Sequence, residues 1–142
     1  MLRAVLIHWR DTLAHADEDE GLRLASTTTA LLEALRGRRL CVAVVAGEAE
    51  RADVERLGVA ALADAVAASP QAALAALSVA PGETLAVAGH LDDVRADAAA
   101  GMATAQAFWF RADEDPGDFR PDHEAFTQMD VLNVARRLGA PD

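Results

Sequence analysis

The stretch Val5-Leu6-Ile7-His8-Trp9-Arg10-Asp11-Thr12-Leu13 decides how the rest of the chain is read. Residues 4–7 form a continuous apolar run that gives way at once to His8, Arg10 and Asp11. A short run apolar on both faces suits a strand inside a parallel sheet, and its polar end then belongs to the crevice outside the carboxyl ends of the strands. Two further runs of the same kind, residues 40–45 and 84–88, are expected to flank it.

Helical segments fall between these runs. Residues 26–35 place Leu31, Leu32 and Leu35 at helical spacing, with Ser26 or Thr27 as N-cap and Gly37 as the stop. Residues 48–57 form a charged amphipathic helix closed by Gly58, residues 65–67 a short strand, and Ser69-Pro70 opens a helix to residue 77. Residues 91–100 read as a helix ended by Gly101, and residues 102–110 as a strand rich in aromatics at its far end. The acidic stretch 113–122 reads as a solvated loop, residues 125–129 as a last short strand, and 131–138 as a last helix. Alanine supplies about a quarter of the residues and tolerates either face, so the apolar runs and the Gly/Pro punctuation carry the assignment. Alternation throughout predicts a three-layer α/β sandwich around a mainly parallel, Rossmann-like sheet, in one domain spanning residues 1–142.

Composition narrows the function classes. Thirteen basic residues against 23 acidic ones give a net charge of -10, which disfavours nucleic acid and anionic membrane as partners. All the basic residues are Arg, so Schiff-base chemistry and a lysine-bearing phosphate loop are excluded, and without Tyr no phenol can act as an acid. A single Cys41 in an apolar run permits neither an intramolecular disulfide nor a cysteine zinc cluster. With no signal-like or membrane-spanning segment, a cytoplasmic location is expected.

The order of segments resembles the haloacid dehalogenase-like (HAD) superfamily in its small form, almost without a cap domain. The residues that carry the resemblance are the quoted strand and turn, Val42-Ala43-Val44-Val45-Ala46-Gly47, Ser69-Pro70, Val87-Ala88-Gly89-His90-Leu91-Asp92-Asp93-Val94, and Ala99-Ala100-Gly101-Met102. The resemblance implies a Mg²⁺-dependent phosphohydrolase ancestry, in which the nucleophilic Asp falls on His8 and the acid/base Asp on Arg10. The phosphate-binding Ser or Thr falls on Ala46, the phosphate Lys has Ser69 as its nearest counterpart, and one metal carboxylate falls on Gly89 or Ala88. Asp93 or Asp92 alone stands where a family metal ligand would be. An imidazole cannot form an acyl-phosphate, and a guanidinium neither gives up a proton near neutral pH nor tolerates Mg²⁺. The reading is therefore a degenerate domain, a pseudo-phosphatase acting by protein or ligand binding or by oligomerisation, with no metal or other cofactor expected.

Two alternatives stay open. One is a hydrolase with rearranged chemistry. The other is a small-anion or transition-metal binder using His8, Arg10 and His90, with His8, His90 and Asp93 as the metal set, since imidazole suits Zn, Ni, Cu or Fe(II). The crevice is expected to gather His8, Arg10, Asp11, Thr12, Ala46, Gly47, Ser69, Gly89, His90, Asp92 and Asp93, with Arg10 pairing Asp11, Asp92 or Asp93. Asp11 and Thr12 more simply close the loop after the first strand, and His15 with the acidic run Asp17-Glu18-Asp19-Glu20 reads as a solvated loop. Trp9 and Trp109, at or beyond strand ends, are the candidates for contact with a protein partner or a second copy in a homodimer.

Overall fold

A computed structural model describes residues 1–17, 19, 21–110 and 119–139. Its centre is β1 (Ala4–His8), buried along its whole length. β1 pairs in parallel with β4 (Cys41–Val45) on one side and β6 (Thr84–Ala88) on the other, as the three apolar runs predict. β5 (Ala65–Ala67), β7 (Ala103–Ala107) and β8 (His123–Ala125) extend a six-stranded parallel sheet in the order β5-β4-β1-β6-β7-β8.

The strand period of two sorts alternate residues to two cores. Val5, Ile7, Val42, Val44, Leu85 and Val87 join the Leu31, Leu32 and Leu35 stripe of α1 (Thr28–Gly37) and Val131, Val134 and Ala135 of α5 (Gln128–Arg137). On the opposite face Leu6, Ala43, Val45, Ala67 and Ala86 pack with Ala73 of α3 (Pro70–Leu77) and with Met102. α4 (Leu91–Ala99) follows β6 and packs on β6 and β7, and α2 (Glu48–Arg56) follows β4. The fold is an α/β, Rossmann-like sheet with helices on both faces.

Several boundaries differ from the sequence reading, each for a local reason. Thr27 stands at the N-cap of α1 but its hydroxyl turns to Gln128 Oε1, and Gly37 lies inside the helix, the left-handed residue being Arg39 at φ 63°. The aromatic run is not strand: β7 stops at Ala107, and Phe108 stacks on Phe126 with ring centroids 5.2 Å apart. The last strand is His123–Ala125, because Thr127 caps α5 through its side chain and Met129 already belongs to that helix. The segment around His15 is a β-hairpin rather than a loop, β2 (Ala14–Asp17) pairing antiparallel with β3 (Gly21–Leu24) through a turn that needs φ +78° at Gly21. Glu18, Glu20 and the part of the acidic loop at residues 111–118 lie outside the described residues. Among the described residues no helix is long and apolar enough to cross a membrane.

Candidate functional site

The chain leaves β1 in a tight knot. The Trp9 carbonyl accepts from the backbone N–H groups of Thr12, Leu13 and Ala14 at 3.3, 3.2 and 3.1 Å, and Asp11 adopts a left-handed φ of 50°. Trp9 itself is 1% exposed and belongs to the core, which removes it as an interface residue. Thr12 donates to the Arg10 carbonyl at 3.1 Å and accepts from the Gly89 N–H at 2.9 Å, tying the end of β1 to the end of β6. The Trp109 indole N–H donates to the Thr12 carbonyl at 2.6 Å, so this second interface candidate, half-buried, clamps the same turn.

Two polar clusters follow from that knot. In the first, His8 Nε2 donates to Asp97 Oδ2 at 2.8 Å, and His8 Nδ1 lies 3.7 Å from Asp93 Oδ2. A carboxylate only accepts, which fixes the proton on Nε2. The Asp97 side chain is 1% exposed, and its other oxygen, Oδ1, meets no donor among the described residues. In the second cluster the Asp11 carboxylate accepts from His15 Nδ1 and from His90 Nε2, each at 2.6 Å. Burial alone would raise the Asp11 pKa, but the hydrogen bonds and charges of His15 and His90 outweigh it and hold the carboxyl below its ordinary value of 3.8. His15 also stacks on Phe110, with centroids 5.1 Å apart, so the hairpin is fastened over the turn.

A cavity of about 240 Å³ opens beside the first cluster, lined among others by His8, Arg10, Gly47, Ser69, Asp93 and Asp97. Gly47 caps α2 and donates to Glu50 Oε1, which also lines the cavity, at 3.0 Å. Ser69 caps α3 by accepting from the Ala72 N–H at 3.1 Å. Arg10 is exposed and forms no side-chain hydrogen bond or ion pair with any described residue, so the expected pairing with Asp11, Asp92 or Asp93 does not form. The sequence set thus divides. His8, Arg10, Gly47, Ser69 and Asp93 share the cavity, Asp11, Thr12, Gly89 and His90 build the adjoining turn, Ala46 is buried, and Asp92 is exposed on α4. Asp97 and Glu50 were missed, since a lone acid in a helix carries no motif. The one signal for Asp97 was a carboxylate one helical turn beyond Asp93.

The residues do not fit the Mg²⁺ that the resemblance implies. Mg²⁺ demands hard oxygen donors, and the resemblance puts His8 where the first carboxylate would be. Of the two positions for the next one, Ala88 carries no donor, and Gly89 has no room for a side chain, because a Cβ there would overlap the carbonyl oxygen of Asp11. His8 and His90 are held by different carboxylates, and among the described residues no group of three or more His, Cys, Asp or Glu is arranged to hold a metal ion.

Comparison with solved structures agrees with the fold. The chain superposes on an uncharacterized protein from Listeria monocytogenes serotype 4b with a TM-score of 0.78 at 15% identity, covering 96% of this chain and 98% of that one. A HAD-superfamily hydrolase from Ehrlichia chaffeensis gives a TM-score of 0.74 at 15% identity over 97% and 98%. A HAD phosphatase from Thermococcus onnurineus gives 0.68 at 23% identity over 84% of this chain and 60% of that one. No protein-family model matches the sequence, and no curated protein is similar to it.

Proposed function

We propose that this chain, which has the HAD-like fold, is a binding domain without phosphoryl-transfer chemistry, and that its ligand is a small molecule held in the crevice at the strand ends. The observation that carries this reading is His8. It stands at the place of the family's nucleophile, is 7% exposed, and is bonded to a buried carboxylate. Phosphoryl transfer rests on positioning and on charge stabilisation of the transferred group, and among the described residues Arg10 is the one Arg in the cavity lining. Ligand binding is favoured over a protein interface because Trp9 is in the core and the Trp109 N–H is bonded internally. The test is hydrolysis of p-nitrophenyl phosphate with and without Mg²⁺. No Mg²⁺-dependent turnover is expected, and turnover that rises with Mg²⁺ and vanishes in His8→Ala overturns the reading.

A second reading, a hydrolase with rearranged chemistry, is favoured by one feature. A histidine oriented by a buried carboxylate shares a cavity with the Ser69 hydroxyl. It requires a Ser69-dependent turnover of an activated ester such as p-nitrophenyl acetate, and equal rates in the parent and Ser69→Ala would remove it.

A further inference from the structure

The crevice carries unused hydrogen-bonding capacity of both signs. Asp97 contributes an acceptor: its Oδ2 is taken by His8, while Oδ1 is buried without a donor among the described residues. A buried acceptor left unmade costs about 1–3 kcal/mol, and a ligand donor removes that cost. Asp93 adds another carboxylate to the same lining, its side chain 35% exposed and its Oδ2 3.7 Å from His8 Nδ1. Arg10 contributes donors: the residue lines the cavity and is exposed, and its guanidinium has no partner among the described residues.

These features select against ligands of a single charge sign. A phosphate or simple carboxylate would meet Arg10 but would also face the oxygens of Asp93 and Asp97. A simple ammonium would satisfy Asp97 Oδ1 with one of its three donors and leave the Arg10 fork unused. A molecule with both groups uses both, the ammonium toward the α4 carboxylates and the carboxylate bidentate on the guanidinium. Size agrees. At about 30 Å³ per water, a cavity of about 240 Å³ holds roughly eight waters, below the roughly 300–1,000 Å³ typical of drug-sized ligands.

We propose that this cavity binds a small aminocarboxylate, with its ammonium at Asp97 and Asp93 and its carboxylate at Arg10. This rests on the reading of the chain as a binding domain and names the ligand class of that same crevice. Ligand-observed NMR or calorimetric titration of the whole chain tests it, with glycine, β-alanine and γ-aminobutyrate as aminocarboxylates of increasing spacing. Methylammonium, acetate, inorganic phosphate and MgCl₂ are the single-charge probes. At least one aminocarboxylate is expected to bind about tenfold or more tightly than methylammonium or acetate. Arg10→Gln is expected to remove most of that advantage while leaving methylammonium binding unchanged, and Asp97→Asn to weaken both. Asp93→Asn, which leaves the His8–Asp97 bond in place, gives the same readout should Asp97→Asn not fold. Tighter binding of phosphate, acetate or Mg²⁺ than of every aminocarboxylate overturns the proposal, and so does the absence of aminocarboxylate binding in the millimolar range. In either case p-nitrophenyl phosphate separates the two readings. Without Mg²⁺-dependent hydrolysis only the ligand class has failed, and with it the binding-domain reading has failed as well.

Discussion

The carbonyl oxygen of Asp11 occupies the space that any Cβ on Gly89 would need, so the left-handed turn after β1 and the glycine after β6 fit only as a pair. The contact bars any side chain at Gly89, one of the two positions, Gly89 or Ala88, where the family resemblance calls for a metal carboxylate. It also leaves the Gly89 N–H free to donate to the Thr12 hydroxyl.

Gly89→Ala is therefore expected to destabilise the fold by about 1–3 kcal/mol, the usual range for forcing an extra group into a packed site. The obstacle is backbone rather than the end of a flexible side chain, which favours the upper part of that range. Urea unfolding gives the comparison, and a loss below about 0.5 kcal/mol would mean that the turn yields freely. Gly89→Asp should be at least as destabilising and should not create Mg²⁺ binding.

The His8–Asp97 bond joins residues 89 positions apart, one from β1 and one from α4, with both side chains buried. Removing one partner strands the other, so Asp97→Ala is expected to cost about 3–5 kcal/mol, as for other broken buried pairs. The double variant His8→Ala/Asp97→Ala should cost less than the sum of the singles, with a coupling of about 1–3 kcal/mol in a double-mutant cycle. Additive losses would show that the two side chains do not act as a pair.

Asp11 gives a pH prediction with a definite sign. Its folded pKa lies below the ordinary 3.8, so folding favours the ionised form. The resulting stability is full well above that value and is lost as pH falls through the folded pKa. Asn tolerates a left-handed φ, which makes Asp11→Asn a clean removal of the charge. It is expected to cost about 1 kcal/mol near neutral pH, and the gap to the parent should shrink on acidification below about pH 3.8. A gap of constant size across that range would show that the ionised carboxylate is not what binds His15 and His90.

The parallel core was legible because strands buried on both faces are apolar along nearly their whole length, as residues 4–7 of β1 and 85–88 of β6 are. The hairpin was not, because Ala-His-Ala-Asp and Gly-Leu-Arg-Leu are short and mostly half-exposed, and their pairing depends on Gly21 rather than on an apolar pattern. The place of the crevice followed from the strand ends, but its partners did not. Arg10 beside Asp11 suggests an ion pair in sequence, whereas the left-handed turn sends the Asp11 carboxylate to His15 and His90. Trp9 looked available because it follows a strand, yet the tight turn around its own carbonyl leaves the ring in the core.

The last prediction concerns metal dependence. In a site built from clustered carboxylates, removing the divalent ion leaves like charges a few ångströms apart, at a cost on the order of a kcal/mol or more per close pair. Here Asp97 accepts from His8, and Asp11 accepts from His15 and His90, so these two carboxylates need no ion to offset them. Thermal unfolding midpoints in EDTA and in millimolar Mg²⁺ are expected to coincide. A site filled at a hundred times its Kd would add about 2.7 kcal/mol, a rise on the order of 5–10 °C for a chain of this length. A rise of that size with Mg²⁺ would mean that a working Mg²⁺ site exists despite Gly89 and His8. A rise confined to Zn²⁺ or Ni²⁺ and abolished by His8→Ala or His90→Ala would mean that the histidines leave their carboxylates to take a transition metal.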